Sequence, residues 1–192
     1  MNDYRRRIFE SMKLLVGPLG ILDSALDFGS GDGFFSSQWK SNSLARQVAA
    51  VDVVRRKSSI VVPSLYDGVR LPFDDRSFDL SYAVDVLHHC PDPSRALEDL
   101  SRCSRRYLLI KDHTYQGAIG RYALAVLDEL GNRRFGIPSP YLYQHRWAWI
   151  DRIETQGWRR VALICPMTCH TGLLGAATNR LQFIGLWERG VG

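Results

Sequence analysis

Two groups of residues in this sequence have the types and the spacing for chemistry. The first is three glycines at alternate positions, Gly29, Gly31 and Gly33, in A-L-D-F-G-S-G-D-G-F-F-S, directly after a short apolar run that ends in Asp27. Glycine lacks a Cβ, so such a turn reaches dihedrals closed to other residues and lets a ligand lie against the backbone. The second is a set of groups able to take up a proton near neutral pH: His88 and His89 in V-L-H-H-C, and Asp112 with His113 in K-D-H-T. A positioned general base contributes roughly 10²–10⁴-fold where the acceptor begins protonated. Histidines beside a helix also simply pack or cap it, and both readings stand for His88 and His89.

Elements must hold these groups in place. The apolar run is a strand, Phe34 to Trp39 is helix-compatible, and the amides at that helix's start face whatever the turn binds. A dinucleotide fingerprint, G-x-G-x-x-G, needs a third glycine at 34, where this chain has Phe34. The observed G-x-G-x-G, preceded by a strand-end carboxylate, instead resembles motif I of the class I S-adenosylmethionine (SAM) methyltransferases, whose ligand is cationic. A second strand, Gln47 to Val51, ends at Asp52. In a doubly wound sheet an acid about 20 residues past the glycine turn accepts from ribose hydroxyls. Val53 is placed to lie on an adenine face, and Asp67, after a third strand from about Ile60 to Leu65, to take the adenine amino group.

The block from Leu71 to Pro93, L-P-F-D-D-R-S-F-D-L-S-Y-A-V-D-V-L-H-H-C-P-D-P, sharpens the resemblance. It is similar to the methyltransferase type-11 family, which includes the ubiquinone/menaquinone biosynthesis C-methyltransferases, and the likeness spans roughly 26–110. The resemblance implies a Rossmann-like, doubly wound α/β sheet of seven strands, mostly parallel with one antiparallel strand. It further implies SAM as cofactor, held by Asp27, Gly29, Ser30, Gly31, Gly33, Asp52, Val53, Asp67, Gly68 and Val84. The candidate catalytic residues are then His89, His88, Asp112 and His113. One departure is R-C-S-R-R where the family usually has K-P-G-G before the fifth strand, Arg105 to Lys111. The Asn/Asp-Pro-Pro run that resembles what base-amine methyltransferases use is absent after strand four, which disfavours nucleic acid and favours a small-molecule or lipid-like acceptor, methylated on oxygen or carbon. An RNA methyltransferase and a non-catalytic SAM-binding module are the alternatives.

The remaining chain supplies supporting elements. Tyr4 to Val16 has an apolar face of Tyr4, Ile8, Met12, Leu15 and Val16, fit to cover the core or to act as a lid. Phe78 to Ala83 is the fourth strand, and Asp92 with Pro93 caps the helix that follows. Ile119, Tyr122, Ala123, Val126, Leu127 and Leu130 form a helical stripe that Gly131 should end. A helix around Trp147 to Gln156 and two strands, Val161 to Ile164 and Leu181 to Trp187, make a hairpin-like finish. Acceptor choice is expected in the aromatic segment 112–156, with Tyr115, Tyr122, Phe135, Tyr141, Tyr143, Trp147 and Trp149. There Tyr141 and Tyr143 would line a pocket mouth with His145 and Arg146. Packing is the expectation for Tyr122 and Trp147.

Length and composition set the bounds. The 192 residues, 45% hydrophobic and 23% charged, predict one ordinary globular domain. The net charge of +5 is spread over scattered pairs and triplets such as Arg5 to Arg7 and Arg55 to Lys57, as solvated faces would be. Four cysteines without a C-x-x-C pair predict reduced thiols in a cytoplasmic protein. Cys165, Cys169 and His170 lack a fourth partner at a zinc spacing, and no acid pair sits at ligand spacing for Mg²⁺, so no metal is expected. The basic and then apolar N-terminus is not read as a signal peptide, because cleavage near Ala25 would remove everything before the glycine turn. No apolar run has transmembrane length.

Overall fold

The computed structural model of the protein describes residues 3–132 and 140–190. In chain order the elements are α1 (Asp3–Val16), β1 (Leu22–Phe28), α2 (Phe34–Ser41), β2 (Ala45–Asp52), β3 (Ser64–Leu65), β4 (Phe78–Val84) and α3 (Pro93–Cys103). They continue as β5 (Ser104–Tyr115), α4 (Ala118–Asn132), β6 (Gln144–His145), α5 (Ala148–Thr155), β7 (Trp158–Ile164), α6 (Gly172–Thr178) and β8 (Gln182–Arg189).

The sheet runs β3-β2-β1-β4-β5-β8-β7, and the short β6 pairs with the outer end of β5. Only β8 runs against its neighbours. Strand side chains alternate between faces, and both faces are covered, so the strands read as nearly continuous apolar runs. Leu80, Tyr82, Leu109, Ile184 and Leu186 pack with Ile8, Met12 and Val16 of α1 and Trp39 of α2. Leu26, Phe28, Leu108, Ile110 and Phe183 pack with Leu97 and Leu100 of α3 and Ile150 and Ile153 of α5. The strand order reverses between β1 and β4, and in such sheets the crevice at the carboxyl ends of the strands is where ligands bind.

The expected fold is present, with four local corrections. The third strand is Ser64–Leu65 alone, because the amides of Ile60 and Val61 bond to the Asp32 carbonyl (2.6 and 3.4 Å) and pin their segment to the glycine turn. The fifth strand continues to Tyr115, so Asp112 and His113 stand inside a strand, paired with Phe183 and Gln182 of β8. Helix α4 is turned partly from its expected face, with Ala123 and Leu127 packed inward as expected and Ile119, Tyr122 and Val126 turned outward. Ile119 and Tyr122 are 80% and 74% exposed, while Leu124 and Asp128 face inward. Tyr122 therefore does not pack, whereas Trp147 meets Phe183 edge to face as expected. The last strands do pair antiparallel, but α6 lies between them, so they form no tight hairpin. Phe135 lies outside the described residues.

Candidate active site

The glycine turn leaves β1 with Gly29, Gly31 and Gly33 all in the left-handed region, at φ of +68°, +62° and +80°. At two of them a side chain has no room: a Cβ on Gly29 would stand 2.1 Å from Val86 Cγ2, and one on Gly33 2.6 Å from the Val61 amide nitrogen. Over Gly31 lies the movable end of Arg56, 3.2 Å from a built Cβ. The Asp52 carboxylate seams β2 to the turn. Its Oδ2 accepts from the Gly31 amide (2.8 Å) and its Oδ1 from Val53 (2.7 Å) and Val54 (3.3 Å). Ionised carboxylate has about four acceptor positions, so capacity remains beyond these three bonds. Ser30 Oγ is buried and has no hydrogen-bond partner among the described residues.

At the outer end of this cradle, Val53 is 57% exposed and faces Gly68, whose added Cβ would lie 3.3 Å from Val53 Cγ1. Asp67 accepts from the Val69 and Arg70 amides through Oδ1, and these bonds hold its carboxyl below the ordinary range. Val84 ends β4 opposite Lys111. Asp27 lies beneath the turn rather than on it. It is buried, accepts from Ser36 Oγ (2.6 Å), and burial pushes its carboxyl up to about 7. The donor set, a strand-end carboxylate, an unsatisfied hydroxyl and an apolar platform on a side-chain-free turn, suits a nucleoside with a cationic amino-acid end.

Beyond β4 and β5 the fold closes a cavity of about 380 Å³. A larger one, about 540 Å³, lies around Arg70 to Asp75. Its wall is structural, since the Arg102 guanidinium there is engaged by Asp75, Asp99 and the carbonyls of Leu71 and Phe73. The smaller cavity gathers the chemistry. His88 and His89, on a 3₁₀ turn, meet His113 of β5, Asp128 of α4 and Tyr143 ahead of β6. Tyr4, Asp85, His170 and Gln182 complete the polar wall, with Leu124 and Leu127 as its apolar part.

Asp112 is fully buried and organises the histidines. Its Oδ1 contacts His88 Nδ1 at 2.6 Å and His113 Nδ1 at 3.2 Å, and its Oδ2 accepts from the Leu87 amide. Against its burial, the two rings hold Asp112 well below the carboxylate range. Burial disfavours a charged His88, yet Asp112 and then Asp128, 3.7 Å from Nε2, carry it up to about 10. His89 is pushed down by burial and by the charge on His88, and His113 by burial and Lys111. Lys111, fully buried, donates to Asp85, to Tyr4 Oη (2.7 Å) and to Gln182 Oε1 (2.7 Å). Burial opposes ionisation of Asp85, but Lys111 and His113 hold it below the usual range.

Three of the four candidate catalytic residues, His88, His89 and His113, therefore line one cavity, and the fourth, Asp112, is buried behind His88 and His113. Tyr143 joins them with its hydroxyl on Asp128 (2.9 Å), while Tyr141 is 36% exposed and bonded to Glu129. His145 lies tilted against Tyr115 (ring centroids 5.1 Å) and, with Arg146, does not line the cavity. His170 belongs to this wall through its stack on Tyr4 (4.7 Å) rather than to a cysteine cluster. Sequence reasoning missed Asp128, Lys111, Asp85 and Gln182. The one local signal was an acid, Asp128, four residues after Leu124 on a helix otherwise read for its apolar stripe.

Comparison with known proteins agrees with this fold. Residues 26–107 match the model of a family described as a methyltransferase domain. Over 118 residues the chain is 30% identical to the sarcosine/dimethylglycine N-methyltransferase of Halorhodospira halochloris. That match takes in 54% of this chain and 41% of the relative, so the chain spans less than half of that protein's length. A SAM-dependent methyltransferase from Aquifex aeolicus superposes with a TM-score of 0.60 at 17% identity, covering 96% of this chain and 92% of the other. The N-methyltransferase NodS of Bradyrhizobium japonicum gives 0.66 at 14%, covering 99% and 98%. At those identities the likeness is one of fold.

Proposed function

We infer that this chain is a class I SAM-dependent methyltransferase and that it methylates a small polar acceptor bearing an O–H or N–H. The observation that carries the reading is adjacency. A nucleoside cradle with an unsatisfied Ser30 hydroxyl sits at the ends of β1 and β2, and the histidine cavity opens at the ends of β4 and β5. SAM, when bound, supplies an electrophilic methyl group on a sulfonium, which is already a good leaving group.

The chain's own work is then alignment and proton removal. Gly31, covered only by the movable end of Arg56, lets the donor approach the backbone, Asp52 and Ser30 offer it polar contacts, and Val53 and Gly68 flank its apolar end. Such positioning is worth roughly 7–11 kcal/mol in favourable cases. His113 is the reading for the base, because its Nδ1 lies 3.2 Å from Asp112, which would take the Nδ1–H and leave Nε2 as the acceptor on the cavity side. His88, clasped by Asp112, holds that carboxylate in place.

The walls of the cavity argue for acceptor type. Asp85, Asp128, four histidines and Tyr143 make it polar and small, which favours a compact acceptor over a lipid-like one. An N–H acceptor gains support from the relative named for N-methylation. Arg105, Arg152, Arg159 and Arg160 pair with Asp79, Glu98, Glu188 and Glu154 on scattered faces and do not converge on the cavity, which weakens the RNA reading. A cavity beside the cradle equally weakens a purely binding role. The test is incubation with methyl-labelled SAM and a fractionated metabolite extract. Label should enter a small polar compound, and His113→Gln should slow transfer about 100-fold or more while SAM affinity stays within a factor of three. No labelled product, or an equal rate in the variant, would refute it.

A further inference from the structure

We propose that His88, His89 and Asp128 form a site for one divalent transition-metal ion, Zn²⁺ or a neighbour in the first row, in the wall of the acceptor cavity. His88 Nε2 and His89 Nε2 lie 3.7 and 3.8 Å from the same oxygen, Asp128 Oδ1, and the three atoms lie within 4.8 Å of one another. These separations exceed hydrogen-bond length. The two nitrogen–oxygen separations are a few tenths of an ångström beyond the roughly 3.4 Å edge that bonds of about 2.0–2.1 Å give a tetrahedron, and with the candidate ligand atoms within 4.8 Å of one another the two rings close on an ion by drawing together. Two imidazoles and one carboxylate are a donor set suited to such ions and leave positions open for another ligand, the ion displacing the Nε2 proton that Asp112 and Asp128 otherwise hold on His88.

The supporting groups point the same way. A metal-binding histidine usually donates its second ring nitrogen to a carboxylate, and ligating carboxylates are themselves hydrogen-bonded. His88 does the first, with Nδ1 on Asp112 at 2.6 Å and Nε2 turned to the cavity. Asp128 does the second, receiving Tyr143 Oη on Oδ2 at 2.9 Å, with Oδ1 on the side of the two imidazoles. All three ligands line the cavity, so an ion there has a path in and an open side. The expectation of no metal rested on spacing along the chain; here α4 supplies the acid from forty residues downstream of the histidine pair. The site stands on this geometry alone. That it would hold the acceptor's lone-pair atom rests on the methyltransferase reading.

The full chain, stripped with chelator, is titrated with Zn²⁺ by calorimetry and with Co²⁺ by visible absorption. One ion per chain should bind, and Co²⁺ should show the d–d bands of a site with nitrogen ligands. His89→Gln and Asp128→Asn should each weaken binding at least 100-fold, and Tyr143→Phe about 10-fold. Affinity for S-adenosylhomocysteine should stay unchanged in all three, which separates this site from the donor cradle. If Asp128→Asn does not fold, the partly exposed His89→Gln carries the test. No saturable binding below millimolar ion, or undiminished binding in folded His89→Gln, would overturn the proposal. Loss in His113→Gln with none in His89→Gln would overturn it too, because the ion would then sit among His88, Asp112 and His113.

Discussion

Replacing Lys111 by Met tests the polar junction that fixes the cavity. Lys111 is wholly buried, and its ammonium is shared by Asp85, the Tyr4 hydroxyl and Gln182, so that one side chain ties β5 to β4, α1 and β8. Met keeps the stem's volume and removes the charge, which leaves Asp85 ionised beside it without its ammonium. Removing one partner of a buried pair costs about 3–5 kcal/mol. The Asp85 side chain is 23% exposed, so the lower end, about 3 kcal/mol, is the better expectation. At about 2–4 °C per kcal/mol for a chain of this size, Tm should fall by roughly 6–12 °C. Calorimetric melting at pH 7 measures it, and Lys111→Met with Asp85→Asn should recover at least half of the loss, because the stranded charge goes with its partner. A fall under 3 °C, or strictly additive single effects, would refute the reasoning.

Three further perturbations separate the parts. For Asp27, burial raises the folded carboxyl to about 7 against about 4 in the unfolded chain. Its contribution to stability is thus full below about pH 4 and lost as pH rises through about 7. Asp27→Asn should gain on the native protein across that window and run parallel above it; a constant difference in Tm from pH 4 to 8 would contradict this. Gly29→Ala drives a methyl group into Val86 and strains a φ of +68°, costing on the order of 2–4 kcal/mol. Adding Val86→Ala should restore only part of the Tm, and full rescue would mean that backbone strain is negligible there. Tyr143→Phe should lower acceptor turnover with SAM affinity intact, whereas Tyr141→Phe should change neither; the reverse ranking would move the acceptor loop outward.

What the sequence disclosed follows how local each interaction is. The cradle was readable because its parts are consecutive or stand at strand ends: 29–33 in one turn, Asp52 closing β2, Asp67 and Gly68 in one Asx turn. His88, His89, Asp112 and His113 were readable as a group because β4 and β5 are neighbours in the inferred topology. The opposite wall was legible only in part: Tyr143 was expected at a pocket mouth and lines the cavity, whereas Asp128 and Gln182 arrive from α4 and β8, and Tyr4 was read only for the apolar face of α1. Counting apolar residues on α4 favoured Ile119, Tyr122 and Val126, but the inward face carries Leu124 and Asp128, whose charge is met by imidazoles and a tyrosine hydroxyl. Ile60 to Val62 had strand composition, yet the Asp32 carbonyl took the amides a strand partner would need. Periodicity reports burial; it does not report a polar partner that arrives from elsewhere in the chain.

The donor cradle is the claim on which the functional reading turns, and titration calorimetry of the full chain with SAM tests it most directly. Hydrogen bonds to a charged acceptor contribute about 1.5–3 kcal/mol, so Asp52→Ala should weaken SAM by roughly 10- to 150-fold at about 1.4 kcal/mol per decade. The upper end is expected, because Asp52 also holds the Gly31 amide in place. A native chain that binds SAM one to one, and a folded Asp52→Ala that binds it at least tenfold more weakly, is the result the account predicts. A native chain that does not bind SAM, or a folded variant that binds it equally well, would contradict it.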